Sequence, residues 1–118
     1  VAAPTGTLSL TVARVAGETM LSWGASSAAT GYDALLGDLQ ELRASAGSYG
    51  SLALASCLGN NIAATTLSAG SGTPAPGAAE WYLVRAVNCG GNGTYDDGGP
   101  RLSAPRDAGI QSGAYACP

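Results

Sequence analysis

Histidine, lysine and phenylalanine are absent from this 118-residue chain, and charged residues of every kind make up only 11% of it. Each absence removes a class of function. Histidine is the usual general base near neutral pH, so neither a Ser-His-Asp nor a Cys-His arrangement can form within the chain. Without lysine there is no amine nucleophile. The five cations are Arg14, Arg43, Arg85, Arg101 and Arg106, spread without a cluster. Displacing counterions from nucleic acid, or adsorbing to an anionic membrane surface, needs concentrated positive charge, so neither partner is expected. No apolar run reaches the ~20 residues that span a bilayer, which argues against direct membrane insertion. The three cysteines, Cys57, Cys89 and Cys117, form no C-x-x-C pair. With no histidine to help, a structural zinc site is an uncommon alternative. One disulfide and one leftover thiol, buried or joined to another chain, is the expected arrangement.

What remains is small, polar and apolar in alternation. Length and composition give one domain over residues 1–118. Glycine, serine, threonine and alanine are abundant and charge is low, which suits an extracellular protein. The chain starts at Val1, as a trimmed chain or a mature secreted product would. Leu8, Leu10 and Val12 alternate with Ser9, Thr11 and Ala13 to give a first strand; Ala16-Gly17-Glu18 is a turn. Thr19, Leu21 and Trp23 share one face of a second strand, and Tyr32, Ala34 and Leu36 the inward face of a third. Thr65, Thr66 and Leu67 form a short strand before the Gly/Pro/Ser-rich turn Ser68 to Gly77. Tyr82, Val84 and Ala86 face inward on a strand over 80–88, and a last strand is expected within Arg101 to Ile110. The fold class is all-β: an antiparallel sandwich with Leu21, Trp23, Tyr32, Leu36, Tyr82 and Val84 in its core.

Residues 37–61 break this rhythm and read as a partly helical insertion. Asp38 is placed to cap one or two helical turns through Ala44, with Leu39 and Leu42 on one side. Ser51 to Cys57 reads as a further short helix or strand. Trp81, Leu83 and Val87 make the second face of the 80–88 strand apolar as well. A half-exposed strand would be polar there, so this face needs a cover. Either the insertion supplies it, through Leu39, Leu42, Leu52 and Leu54, or a neighbouring subunit does. In the second case Trp81, Leu83 and Val87 form an interface.

The remaining polar groups give little chemistry. Asp96-Asp97 is the sole adjacent acidic pair, and neighbours on extended backbone point apart, so a glycosidase pair is not expected. Asp96, Asp97 and Asn92 lack the regular spacing of a calcium loop. Gly90-Gly91-Asn92-Gly93 is followed by no Gly-Lys-Ser/Thr and reads as a turn, and Asn92-Gly93-Thr94 fits a glycosylation sequon. No catalytic, cofactor-binding or metal-ligating residue is assigned, and no cofactor is expected. Tyr49, Tyr95 and Tyr115, with Trp81, are the aromatics expected at the surface, where rings could stack on a sugar.

Leu21-Ser22-Trp23, Ala29-Thr30-Gly31-Tyr32-Asp33, Pro76-Gly77, Trp81-Tyr82-x-Val84-x-Ala86-x-Asn88 and Gly91 with Gly93 together resemble the fibronectin type III pattern of secreted bacterial proteins. The resemblance covers roughly residues 6 to 110 apart from the insertion. Glu80 stands where the family's tyrosine corner would fall, and no Arg-Gly-Asp triplet is present. The resemblance implies an immunoglobulin-like sandwich in which Cys57 and Cys89 meet at one end as a disulfide. Cys117 is then the free or interchain thiol. The loops, the unpaired sheet edge and the apolar outer patch at Trp81 and Leu83 that such a sandwich would hold lead instead to the expectation of a non-enzymatic extracellular or cell-surface module that acts by contact with protein partners, through self-assembly or a membrane-anchored filament subunit. One form of this is the globular outer subunit of a pilus-like filament. The alternative is an accessory carbohydrate- or ligand-binding domain of a larger secreted protein.

Overall fold

A computed structural model describes residues 1–53, 55–96 and 106–118. Leu54, Asp97 and the first half of the expected last strand, 101–105, lie outside the described residues. The alternating segments become strands β1 (Leu10–Val15), β2 (Glu18–Trp23), β3 (Gly31–Asp38), β4 (Ala55–Ile62), β5 (Thr66–Ser68), β6 (Glu80–Asn88) and β7 (Gly91–Asn92). They form two antiparallel sheets, ordered β1-β2-β5 and β4-β3-β6-β7. Ala16 and Gly17 both adopt positive φ, 51° and 82°. That pair of left-handed residues is the tight turn whose twist matches a hairpin, and it fixes the β1–β2 register.

The sheets pack face to face through Leu21 and Trp23 of β2, Tyr32 of β3, and Val84 and Ala86 of β6, with Tyr82 partly buried against them. Trp23 and Tyr32 meet edge to face, 5.6 Å between ring centroids. The expected core residues are therefore together, with one correction. Leu36 is only half-buried, whereas its neighbour Leu35 is fully enclosed. Leu35 lies on the opposite face of β3, where a second core has formed.

That second core covers the outer face of the four-stranded sheet. Leu35, Leu52, Tyr95, Ile110, Tyr115 and Cys117 are buried in it, with Leu42, Tyr49, Trp81 and Leu83 packed against them. The cover comes from two places. One is the helical excursion after β3: helix α1 (Leu39–Ala44) and a 3-10 turn at Tyr49–Ser51. Asp38 caps α1 as its sequence position predicts, accepting from the Gln40 and Glu41 amides at 2.7 and 3.1 Å. The other is the C-terminal segment, helix α2 (Arg106–Ser112) and the turn after it. Here the expectation of a strand within Arg101 to Ile110 is overturned over 106–110. Ile110 is buried as part of a helix over the sheet, not as a sheet member. The insertion boundary is corrected too. Residues 55–62 pair with β3, so the helical departure ends before β4.

Candidate functional site

Two opposite charges lie within the apolar strands β3 and β6 at directly paired positions, Asp33 and Arg85. Both side chains point to the outer face, under the cover, and are 1% and 6% exposed. Arg85 donates from Nη2 at 2.9 Å and Nε at 3.0 Å to the same carboxylate oxygen. The second oxygen of Asp33 accepts the Asn61 amide at 2.9 Å. The Arg85 guanidinium also lies over the Tyr95 ring, 4.7 Å from its centroid. A charge buried alone is expensive, and this one is paired, hydrogen-bonded and stacked. Sequence reading passed over the pair. The available signal was a lone charge in each of two otherwise apolar runs, Gly31–Leu36 and Trp81–Val87.

Among the described residues after β7, Asp96 and Asp107 are committed in the same way. Asp107 of α2 accepts the Tyr95 amide at 2.7 Å and the Thr94 hydroxyl. Asp96 accepts the Arg106 amide at the start of α2 at 2.6 Å, and Arg106 Nη1 returns a bond to the Tyr95 carbonyl at 2.9 Å. Asp96 is thus a structural tie, while Asn92 lies apart in β7 on the wall of a cleft. Burial pushes the Tyr95 phenol well above its ordinary range, with Arg85 opposing. Tyr115 is raised to about 12, mainly by burial. Tyr82 is also raised to about 12, by burial first and then by the Glu80 carboxylate that accepts its hydroxyl at 2.6 Å.

The aromatics expected at the surface are instead packing elements. Tyr95 and Tyr115 are 3% and 8% exposed. Trp81 sits between the rings of Tyr49 and Tyr115, at 5.6 and 6.4 Å, both edge to face. The Tyr115 hydroxyl donates to the Tyr49 carbonyl at 2.6 Å. Tyr95 and Tyr115 therefore offer no open ring to a sugar, and Tyr49 and Trp81 are partly buried against their neighbours. The proposed interface of Trp81, Leu83 and Val87 is corrected for the same reason. Val87 is 6% exposed, and Trp81 and Leu83 pack under the intrachain cover.

The disulfide is also reassigned. Cys57 bonds Cys117, with Cα atoms 5.1 Å apart, and Cys89 is the exposed free thiol. Sheet register explains the change. Cys57 pairs with Leu35, whereas β6 reaches Cys89 two residues beyond Val87, which pairs with Gly31. Six strand residues separate the levels of Cys57 and Cys89, roughly 20 Å along the sheet, beyond what a disulfide spans. Cys57 faces the outer core, and the C-terminal segment brings Cys117 to it.

Two surface concavities among the described residues bear on a contact role. A polar cleft of about 370 Å³ is lined by Thr30, Asp33, Asn60, Asn61, Asn92 and Cys89, among others. Asn88, also on its wall, is occupied: its amide donates to the carbonyls of Ala2 and Ala28, both at 2.9 Å. A more apolar groove of about 490 Å³ runs along β1 and is lined by Val12, Pro74, Pro76 and Tyr82, with Arg14 and Glu80. Val12 and Val15 on that strand are 49% and 54% exposed. Among the described residues, no helix is long and apolar enough to cross a membrane. No protein-family model, no curated protein and no solved structure matches this chain.

Proposed function

We propose that this chain is a non-enzymatic extracellular module that works by contact between protein surfaces, on a fibronectin type III-like sandwich. Three strands, β1-β2-β5, facing four, β4-β3-β6-β7, support that reading of the fold. The Cys57–Cys117 bond fits an oxidising compartment. The buried carboxylate Asp33 and the part-buried Asp107 are tied to groups of the chain itself. The observation that carries the contact reading is β1: a six-residue outer strand with exposed valines beside an apolar groove. Such an edge is a joint between protomers. The module then serves as a structural subunit of the cell surface, and the globular outer subunit of a pilus-like filament is its most specific form. The test is to shear the surface of the source cells and examine the released fraction by negative-stain microscopy with labelled antibody. Label along fibres or on the surface layer is expected. Label confined to the cytoplasm would overturn the reading.

The amide-rich polar cleft favours a second reading, an accessory domain for a neutral polyhydroxylated ligand. Planar amides such as Asn60 and Asn61 offer the paired donor and acceptor that sugar hydroxyls need. Glycan-array binding lost on Asn60→Ala, with Tyr115 still buried, would establish it.

A further inference from the structure

We propose that β1 is a homotypic docking edge, along which two copies of this chain pair antiparallel about a two-fold axis that passes between the two Val12 residues. This rests on the contact reading above and names the partner that it leaves open.

Among the described residues, β1 pairs with β2 alone. The Trp23 amide donates to Thr65 at 3.0 Å and the Thr19 amide to Gly70 at 2.9 Å, so these β2 residues turn their backbone toward the β5 side. Their partners across the hairpin therefore turn theirs outward: Leu10 opposite Trp23, Val12 opposite Leu21, Arg14 opposite Thr19. Three alternate residues thus present amides and carbonyls along one straight edge.

The other terminal strands of the two sheets carry protection that β1 lacks. Strand β5 has three residues and β7 two, and β4 is broken by register shifts against β3. Strand β1 holds six consecutive pairs without a shift and has no proline. Its single charge does not guard the edge. Arg14 folds back on its own hairpin, donating to Thr19 Oγ1 and the Gly17 carbonyl at 2.9 Å and to the Gly72 carbonyl at 3.2 Å.

A second copy fits this edge by register and charge. Centred on Val12, the pairing sets Val12 against its own counterpart, Leu10 against Arg14, and Thr11 against Ala13. Outward groups meet outward groups at each hydrogen-bonded position. The two arginines fall at opposite ends, roughly 13 Å apart, so no like charges face each other. Centring on Ala13 would bring them closer, which selects Val12. The apolar groove beneath Val12 then continues under the second copy, and the two three-stranded sheets become one of six strands. A contact of one short strand lies at the small end of the interface range, so the association is weak and reversible.

The experiment is sedimentation equilibrium of the Cys89→Ser chain, which removes any thiol-linked dimer. The mass is expected to rise from one copy to two with concentration. Val12→Lys, which sets like charges face to face, and Val12→Pro, which removes an outward amide without taking a hydrogen bond from the β1–β2 ladder, should both stay monomeric with an unchanged near-ultraviolet circular dichroism spectrum. Should Val12→Pro fail to fold, Val12→Lys alone decides. A monomeric parent at millimolar concentration, or a folded variant that still dimerises, would overturn the pairing. A monomer found on the cell surface defeats this inference but not the contact reading; a chain confined to the cytoplasm defeats the reading itself.

Discussion

Arg85 is the residue on which the outer face of the sheet depends most. Replacing it with leucine leaves the Asp33 carboxylate buried without its counter-charge, and is expected to cost about 3–5 kcal/mol of stability in urea unfolding. Replacing both partners by apolar residues should recover most of that loss. A single-variant loss under about 1 kcal/mol would mean that the pair behaves as an exposed one. The tyrosines give a pH test. The phenols of Tyr82 and Tyr115 are raised to about 12 in the fold, against about 10 when unfolded. The raised value means that the folded chain holds these protons more tightly. Their contribution to stability is complete below pH ~10 and is lost as pH climbs toward ~12. Absorbance at 295 nm should therefore show part of the tyrosine change above the ordinary range, with stability falling over the same interval. Glu80→Gln should bring Tyr82 only part of the way down, because burial is the larger cause. Complete titration near pH 10 with the fold intact would contradict these environments.

The element that shows best how packing overrode a simple pattern is β3. Its inward face was legible because Tyr32 and Ala34 alternate with Gly31 and Asp33. Leu36 continued that pattern on paper, yet Leu35 on the other parity is the buried residue, because a second layer sits on that face. Alternation identifies a strand but cannot say how many faces are covered. The apolar outer face of β6 did announce a cover, and α1 with its Asp38 cap was readable as part of it. The other part was not. Residues 106–112 are short, with a glycine at their centre, and nothing local distinguishes one turn of strand from a helix docked by Ile110. Gly37 tests the layer directly. A Cβ there would overlap the Trp81 indole that lies across it. Gly37→Ala is expected to destabilise the protein by about 1–3 kcal/mol through overpacking, read as a lowered urea midpoint. Combining it with Trp81→Leu should cost less than the two changes added separately.

At the scale of the whole molecule, the chain folds as a sheet with two covered faces, and the C-terminal segment is clamped over one of them by Cys57–Cys117. The pairing could not be read from spacing, since three cysteines allow three bridges. The Cys57–Cys89 choice failed because it took the 37–61 stretch as an excursion ending at Ile62, when Cys57 already lies within a paired strand. Closing a loop of 60 residues stabilises by about 4 kcal/mol. Cys57→Ser is expected to lose about that much and to raise proteolysis after Arg106, whereas Cys89→Ser should leave the unfolding midpoint unchanged. With both faces of one sheet occupied, the apolar surface left for a partner lies along β1. The most direct test is amide hydrogen exchange, read residue by residue in dilute and in concentrated protein. The account predicts slow exchange at Leu35 in both, and exchange at Leu10, Val12 and Arg14 that is fast when dilute and slows on concentration. Concentration-independent exchange at Val12 would contradict it.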